Sequence, residues 1–177
     1  MMTVDEFENY LALPANSGRS FELIAGEVVE VVPDDYAAQI GAFIASMLSV
    51  FVRPRGLGRI TGADGGYVVG DERYFPDAAF SAKQQRTGIL YSGYNALSPD
   101  LAVEILSPSK NDVAVRIKVV NYLRIGTAVW VVDPDAQRVE VYMLDAPPRL
   151  AHIGDMLDGG RVLPGFTLPV AEIFGSE

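Results

Sequence analysis

Two acids stand where apolar packing would exclude them. Asp77 follows Pro76 in FPDAAF at the start of an apolar strand, and Glu104 interrupts the apolar run DLAVEILS. A carboxylate buried without a partner costs several kcal/mol or more, so each must be paired, hydrogen-bonded or bound to a metal. Both lie where a strand meets a proline-containing turn, Pro76 before Asp77 and Ser107-Pro108 after Glu104. If the strands are neighbours, the carboxylates converge. Hard oxygen ligands of this kind suit Mg²⁺ or Mn²⁺, which take one or two carboxylates and fill the remaining positions with water and substrate phosphate. The competing reading is that Glu104 pairs with an arginine while Asp77 caps its turn. Lys118 lies on the next predicted helix, sharing a face with Tyr122 four residues on, while Arg116 points elsewhere. A strand-to-helix return would bring that lysine within reach of Glu104; the alternative is an exposed lysine on a solvated face.

Positioning these groups requires a layered framework. TVDEFENYLAL carries a capping box in Thr3 and Glu6, with Val4, Phe7 and Leu11 on one side, and predicts a short helix ending before Pro14. FELIAGEVVEVV predicts a hairpin turning at Ala25-Gly26, with Glu22 and Glu27 on either side. Residues 36 to 52 are apolar and alanine-rich, the pattern of a largely buried helix. Short glycine-punctuated strands from Gly56 to Phe80 predict a β-meander, and residues 84 to 99 a loop with a turn of helix. DLAVEILS, closed by Pro108, and TAVWVVD have the continuous apolar character of strands buried on both faces. Between them NDVAVRIKVVNYLRIG predicts a helix of about three turns, with Asn111 or Asp112 as N-cap and Gly126 just past its end. QRVEVYML alternates like a peripheral antiparallel strand, and the tail holds weak strand signals and a short helix after Pro169. The order predicts a single domain over residues 1–177 of α/β (α+β) class, a mixed central sheet flanked by helices.

Composition narrows the chemistry. With no cysteine, thiolate nucleophiles, disulfides and cysteine-ligated zinc are excluded. The apolar runs fall short of the roughly 20 residues of a membrane span, and the acidic N-terminus is unlike a signal peptide, so a cytoplasmic protein without membrane association is expected. The net charge of −9 is unevenly spread. Residues 53 to 124 hold ten Lys/Arg against seven Asp/Glu, net +3, while the flanks hold four against sixteen. That asymmetry permits a polyanion-binding face without establishing one. Arg53, Arg55 and Arg59 are the nearest thing to a basic cluster and are candidates for substrate phosphate contacts. The surrounding RPRGLGRITGADGGYVVG is glycine-rich but has neither GxxxxGK[ST] nor GxGxxG in a strand-to-helix setting, which argues against nucleotide binding.

The succession FELIAGE, FPDAAF, PDLAVEILSPS, the helix with Lys118 and Tyr122, and GTAVWVVDP resembles the Uma family of restriction-endonuclease-like proteins over roughly residues 3 to 174. The resemblance implies the PD-(D/E)xK nuclease core, with a mixed sheet whose adjacent strands carry metal-binding acids. Asp77 falls on the family's PD aspartate and Glu104 on its strand glutamate. The superfamily lysine two residues after that glutamate would be position 106, which is Leu106; the Uma pattern places it on the next helix, at Lys118. Glu22 matches the hairpin glutamate, a candidate supporting or metal-facing acid. Many relatives have a histidine near the position of Ala37; here the only histidine is His152, read as structural, which argues against a Ser-His-Asp hydrolase.

The implied activity is Mg²⁺- or Mn²⁺-dependent endonucleolytic hydrolysis of DNA. Asp77, Glu104 and the main-chain carbonyl of Ile105 would hold the metal, Lys118 would orient water or offset charge, and Tyr122 and Ser107 would give support. The competing reading is a non-catalytic interaction protein that keeps the nuclease fold, as a homodimer or with a protein partner.

Overall fold

The computed structural model describes residues 1–85, 93–107 and 112–175. The framework of the site is a mixed six-stranded sheet. Its strands are β3 (Gly58–Gly62), β6 (Ala78–Ala82), β8 (Leu101–Ile105), β9 (Ala128–Asp133), β10 (Arg138–Tyr142) and β11 (Arg149–His152), in the spatial order β11-β10-β9-β8-β6-β3. Only β8 and β9 pair in parallel within this sheet, with α3 (Asp112–Arg124) as their crossover. Parallel strands need such a connection, and it lays α3 on one face.

Strand alternation divides the core in two. Leu101, Val103 and Ile105 of β8 face one side with Trp130 and Val132 of β9, against Ile40, Ile44 and Leu48 of α2 (Asp35–Val52). Ala102, Val129 and Val131 face the other side, against Val115, Val119 and Tyr122 of α3. Every residue of β8 is buried, as its unbroken apolar run predicts.

A second sheet covers the α3 side, in the order β2-β1-β5-β4-β7. Its members are β1 (Phe21–Ile24), β2 (Glu27–Glu30), β4 (Gly66–Val69), β5 (Glu72–Tyr74) and β7 (Tyr94–Asn95). The β1-β2 hairpin turns through Ala25 and Gly26, both at positive φ (52° and 74°), the requirement of a type I′ turn. At α1 (Val4–Leu11), Thr3 and Glu6 form the expected capping box. The chain ends in β12 (Met156–Gly159), β13 (Leu163–Pro169) and α4 (Val170–Phe174), which close the α2 side of the core.

Several expectations need correction. The strands between Gly56 and Phe80 are not a meander: β3 pairs with β6 in the central sheet, and the β4-β5 hairpin between them belongs to the second sheet. Local pattern fixes that these segments extend, whereas partner choice is tertiary. The helix at 36–52 is buried along one face only, with Tyr36 and Val50 exposed. By length and composition α2 is also apolar enough to cross a membrane, contrary to the estimate from apolar runs. β10 is not peripheral, since β11 covers its outer edge. Asp112 is the first residue of α3; Pro108, Asn111 and residues 86–92 of the predicted loop lie outside the described residues.

Leu101 is fully enclosed and Leu150 is 51% exposed, so chemical denaturation separates their roles. Leu101→Ala should cost about 2–5 kcal/mol and Leu150→Ala within about 0.5 kcal/mol.

Candidate active site

The β6-β8 register determines how the two acids meet. Ala78 opposes Val103 and Ala79 opposes Ala102, and the regular pairing stops there, which leaves Asp77 and Glu104 close together at the same end of the two strands. Like charges brought together on neighbouring strands repel. The structure supplies compensation on each side. Pro76 has no N–H for the ladder, and the chain bends at Asp77, whose N–H donates to Val103 O (2.9 Å). The Asp77 carboxylate in turn accepts from the Ile105 N–H (2.7 Å). Asp77 therefore ends the strand pairing and also lines the adjoining cleft. Gly41 of α2 makes room for it: a Cβ there would stand 3.2 Å from the Asp77 carbonyl oxygen.

Glu104 is fully buried, and its partner is a lysine rather than an arginine. Lys118 Nζ donates to Glu104 Oε2 (2.7 Å) and to Glu22 Oε1 (2.8 Å), with only 3% of Lys118 exposed. Tyr122, one helical turn on, donates to Glu104 Oε1 (3.2 Å). Glu22 Oε1 also accepts from the Phe75 N–H (2.6 Å), tying the hairpin to the FPD turn. The ammonium lies 5.3 Å from the centre of the Tyr74 ring, and Tyr74 is held by Asn121 Nδ2 (2.7 Å). Burial by itself lowers the lysine pKa, but Glu104 and Glu22 outweigh it and raise it above the ordinary value. Burial, reinforced by Glu104, likewise keeps the Tyr122 hydroxyl protonated well beyond its usual range. Lys118 is thus a fixed positive charge and hydrogen-bond donor rather than a proton acceptor.

Asp77, Glu104, Glu22 and Lys118 all line one cleft of about 870 Å³ between the β1-β2 hairpin, the start of α2 and the first turns of α3. Its walls are largely apolar, with Ile24, Val29, Val32, Ala38 and Val115 among them. Ala37, where the resemblance would put a histidine, also lines it.

The remaining predicted residues lie differently. Ile105 meets Asp77 through its N–H (2.7 Å) and is not among the residues that line the cleft. Ser107 is half-buried just beyond β8. Arg53, Arg55 and Arg59 do not line the cleft. Arg53 caps the far end of α2, some 27 Å along an 18-residue helix from the Asp35 end. Arg55 stacks on Phe51, 4.1 Å from the ring centre, and Arg59 is hydrogen-bonded to Asn95. Arg116 pairs with Glu140 and Tyr142, fixing α3 to β10. His152 is exposed, its N–H bonded to Asp155 (2.8 Å), away from the cleft. Tyr74, Asn121 and the cleft acids Glu30, Asp34, Asp35 and Asp64 were not anticipated. The spacing of Asn121 from Lys118 on one helix, three residues, was the available signal for the first pair.

The donor set fits a hard divalent ion. Asp77 and Glu104 both line the cleft, and Mg²⁺ characteristically uses one or two carboxylates and completes its shell with water and phosphate. Among the described residues no group of three or more His, Cys, Asp and Glu is arranged to hold a metal ion, so the ion would rest on the two carboxylates, water and substrate. Accepting from Lys118 and Tyr122 is compatible with ion binding, since a carboxylate has about four lone-pair positions.

A mixed sheet flanked by helices, with acids and a lysine gathered at one end, is the arrangement of a restriction-endonuclease-like protein. The chain belongs to the Uma2 family, described as "Putative restriction endonuclease", whose profile matches residues 7–171. Its fold is similar to the crystal structure of "a putative nuclease belonging to DUF820" from Anabaena variabilis ATCC 29413, with TM-score 0.85 and 22% identity over 98% of each chain. No curated protein matches it.

Removing the lysine would leave two buried acids uncompensated. Lys118→Met should destabilise the fold by about 3–5 kcal/mol at pH 7. The loss should shrink as pH falls, because a buried carboxylate deprived of its counter-charge takes up a proton more readily in the folded variant than in the unfolded chain. In the unsubstituted protein the raised lysine and tyrosine values act in the same direction. Their contribution is complete below the unfolded values of about 10 and 10.4 and is lost as pH rises beyond them, so urea midpoints should be level from pH 7 to 9 and fall above about pH 10.

Proposed function

We propose that this protein is a divalent-metal-dependent nuclease that hydrolyses DNA phosphodiesters at Asp77, Glu104 and Lys118. The observation that supports the reading is that Asp77 and Glu104, at the same end of β6 and β8, line one cleft with Lys118, whose ammonium is 2.7 Å from Glu104. Asp77 and Glu104 would hold Mg²⁺ or Mn²⁺, which when bound supplies Lewis-acid polarisation of a phosphate oxygen and a more acidic water. In the hydrolysis a water oxygen forms a bond to phosphorus and gives up a proton to solvent, one P–O ester bond breaks, and the departing oxygen takes a proton from solvent. The chain's own contribution is positional and electrostatic. Lys118, kept protonated by its two acids, offsets negative charge gathering on the phosphoryl oxygens. Tyr122 and Glu22 hold that ammonium and Glu104 in place, and the apolar walls limit water.

The test is cleavage of single- and double-stranded DNA by purified protein with Mg²⁺ or Mn²⁺. Asp77→Ala and Lys118→Ala should each lower the rate by about 10²–10³-fold; undiminished cleavage in both would remove the assignment.

A second reading, a non-catalytic interaction protein, draws on the cleft's acidity: seven acids against Arg19 and Lys118, with Arg19 paired to Glu30. Thermal melting separates the two. The nuclease reading expects Mg²⁺ or Mn²⁺ to raise the melting temperature and Asp77→Asn to abolish that rise, whereas the second expects no ion-dependent shift.

A further inference from the structure

We infer that the cleft takes an unpaired nucleic-acid strand rather than an intact duplex, a statement that rests on the nuclease reading and specifies its substrate. Depth comes first. Glu104 is fully buried and Lys118 is 3% exposed, so a phosphate reaching them must enter the cleft. A space of about 870 Å³ is roughly 10 Å on a side, and within the usual range for small-ligand sites. The major groove of B-DNA alone is about 12 Å wide, so the two-stranded helix is broader than the space available.

Charge points the same way. A duplex carries one phosphate per roughly 1.7 Å of axis, and proteins hold it by neutralising many of them with Lys and Arg. Here exposed Glu30, Asp35 and Asp64 and half-buried Asp34 line the cleft. Among the described residues its two cations are already engaged, Arg19 with Glu30 (2.7 Å) and Lys118 with Glu22 and Glu104. A duplex pressed against these acids would set phosphates beside carboxylates along its length. A single strand can direct one phosphate inward and turn its neighbours to solvent. Its unstacked bases then meet apolar surface at Val29, Val32, Pro33, Ala38 and Phe75, burying faces that a duplex keeps stacked.

The experiment compares one end-labelled, non-self-complementary strand of about 20 nucleotides alone, in a blunt duplex and in a duplex with an unpaired tail, with Mn²⁺ and the full chain. Expected is cleavage at least about tenfold faster for the free strand than for the blunt duplex, with cuts in the tailed duplex confined to the tail. Equal or faster cutting of the blunt duplex overturns the inference and leaves the nuclease reading intact. Absence of cleavage of all three, with no Mn²⁺-dependent change in fluorescence anisotropy of the labelled strand, overturns both. The double variant Asp35→Asn/Asp64→Asn removes exposed carboxylates outside the proposed machinery and should narrow the strand preference by raising duplex binding; an unchanged preference contradicts the charge argument.

Discussion

The structure depends on one ammonium group held away from water. Lys118 reaches from α3 to Glu104 in the central sheet and to Glu22 in the hairpin of the second sheet, so a single charge ties together three elements distant in sequence. Each member would be costly alone in this environment, which makes the set interdependent. Glu22 extends the connection by accepting from Phe75 N–H, and thereby fixes the segment leading into Asp77. Tyr122 donates to the second oxygen of Glu104, while Arg116, on another side of α3, anchors the helix to β10. The position of the lysine is therefore determined by the packing of α3 and by these bonds.

Asp77 meets a different requirement. Proline interrupts the ladder one residue earlier, and the Asp77 carboxylate replaces a backbone acceptor for Ile105 N–H. That bond ties the FPD turn to β8, and the same side chain also lines the cleft together with Glu104. One carboxylate serves both the end of a strand and the wall of the site. Packing allows this because Gly41 leaves α2 without a side chain at the point of contact.

Much of this was legible in the sequence because the decisive residues violate local patterns. A glutamate in DLAVEILS and an aspartate after proline stand out against apolar neighbours, and the spacing of Lys118 and Tyr122 placed them on one helical face. The capping box at Thr3 and the turn at Ala25-Gly26 were equally visible, being local chemistry. What depends on partner choice was not visible. The pairing of β3 with β6 around an excursion into another sheet leaves no periodic signal. Nor does the bond from Glu22 to Lys118, which spans 96 positions. The arginines at 53, 55 and 59 show the converse: their charge drew them together in the sequence, but the structure sets the first two at and just beyond the end of α2 away from the cleft, and Arg59 on an edge strand beside Asn95. The acids around the cleft, scattered through the hairpin, α2 and the β3-β4 turn, become one feature only in three dimensions.

The central claim is that Asp77 and Glu104 form the protein's share of a metal site beside a permanently charged lysine. Anomalous diffraction from crystals soaked in Mn²⁺ tests it most directly. The account predicts a manganese peak bonded to both carboxylates at about 2.1–2.2 Å, with Lys118 Nζ still bonded to Glu104. A peak elsewhere, or none at this position in crystals where the cleft is open to solvent, would contradict it.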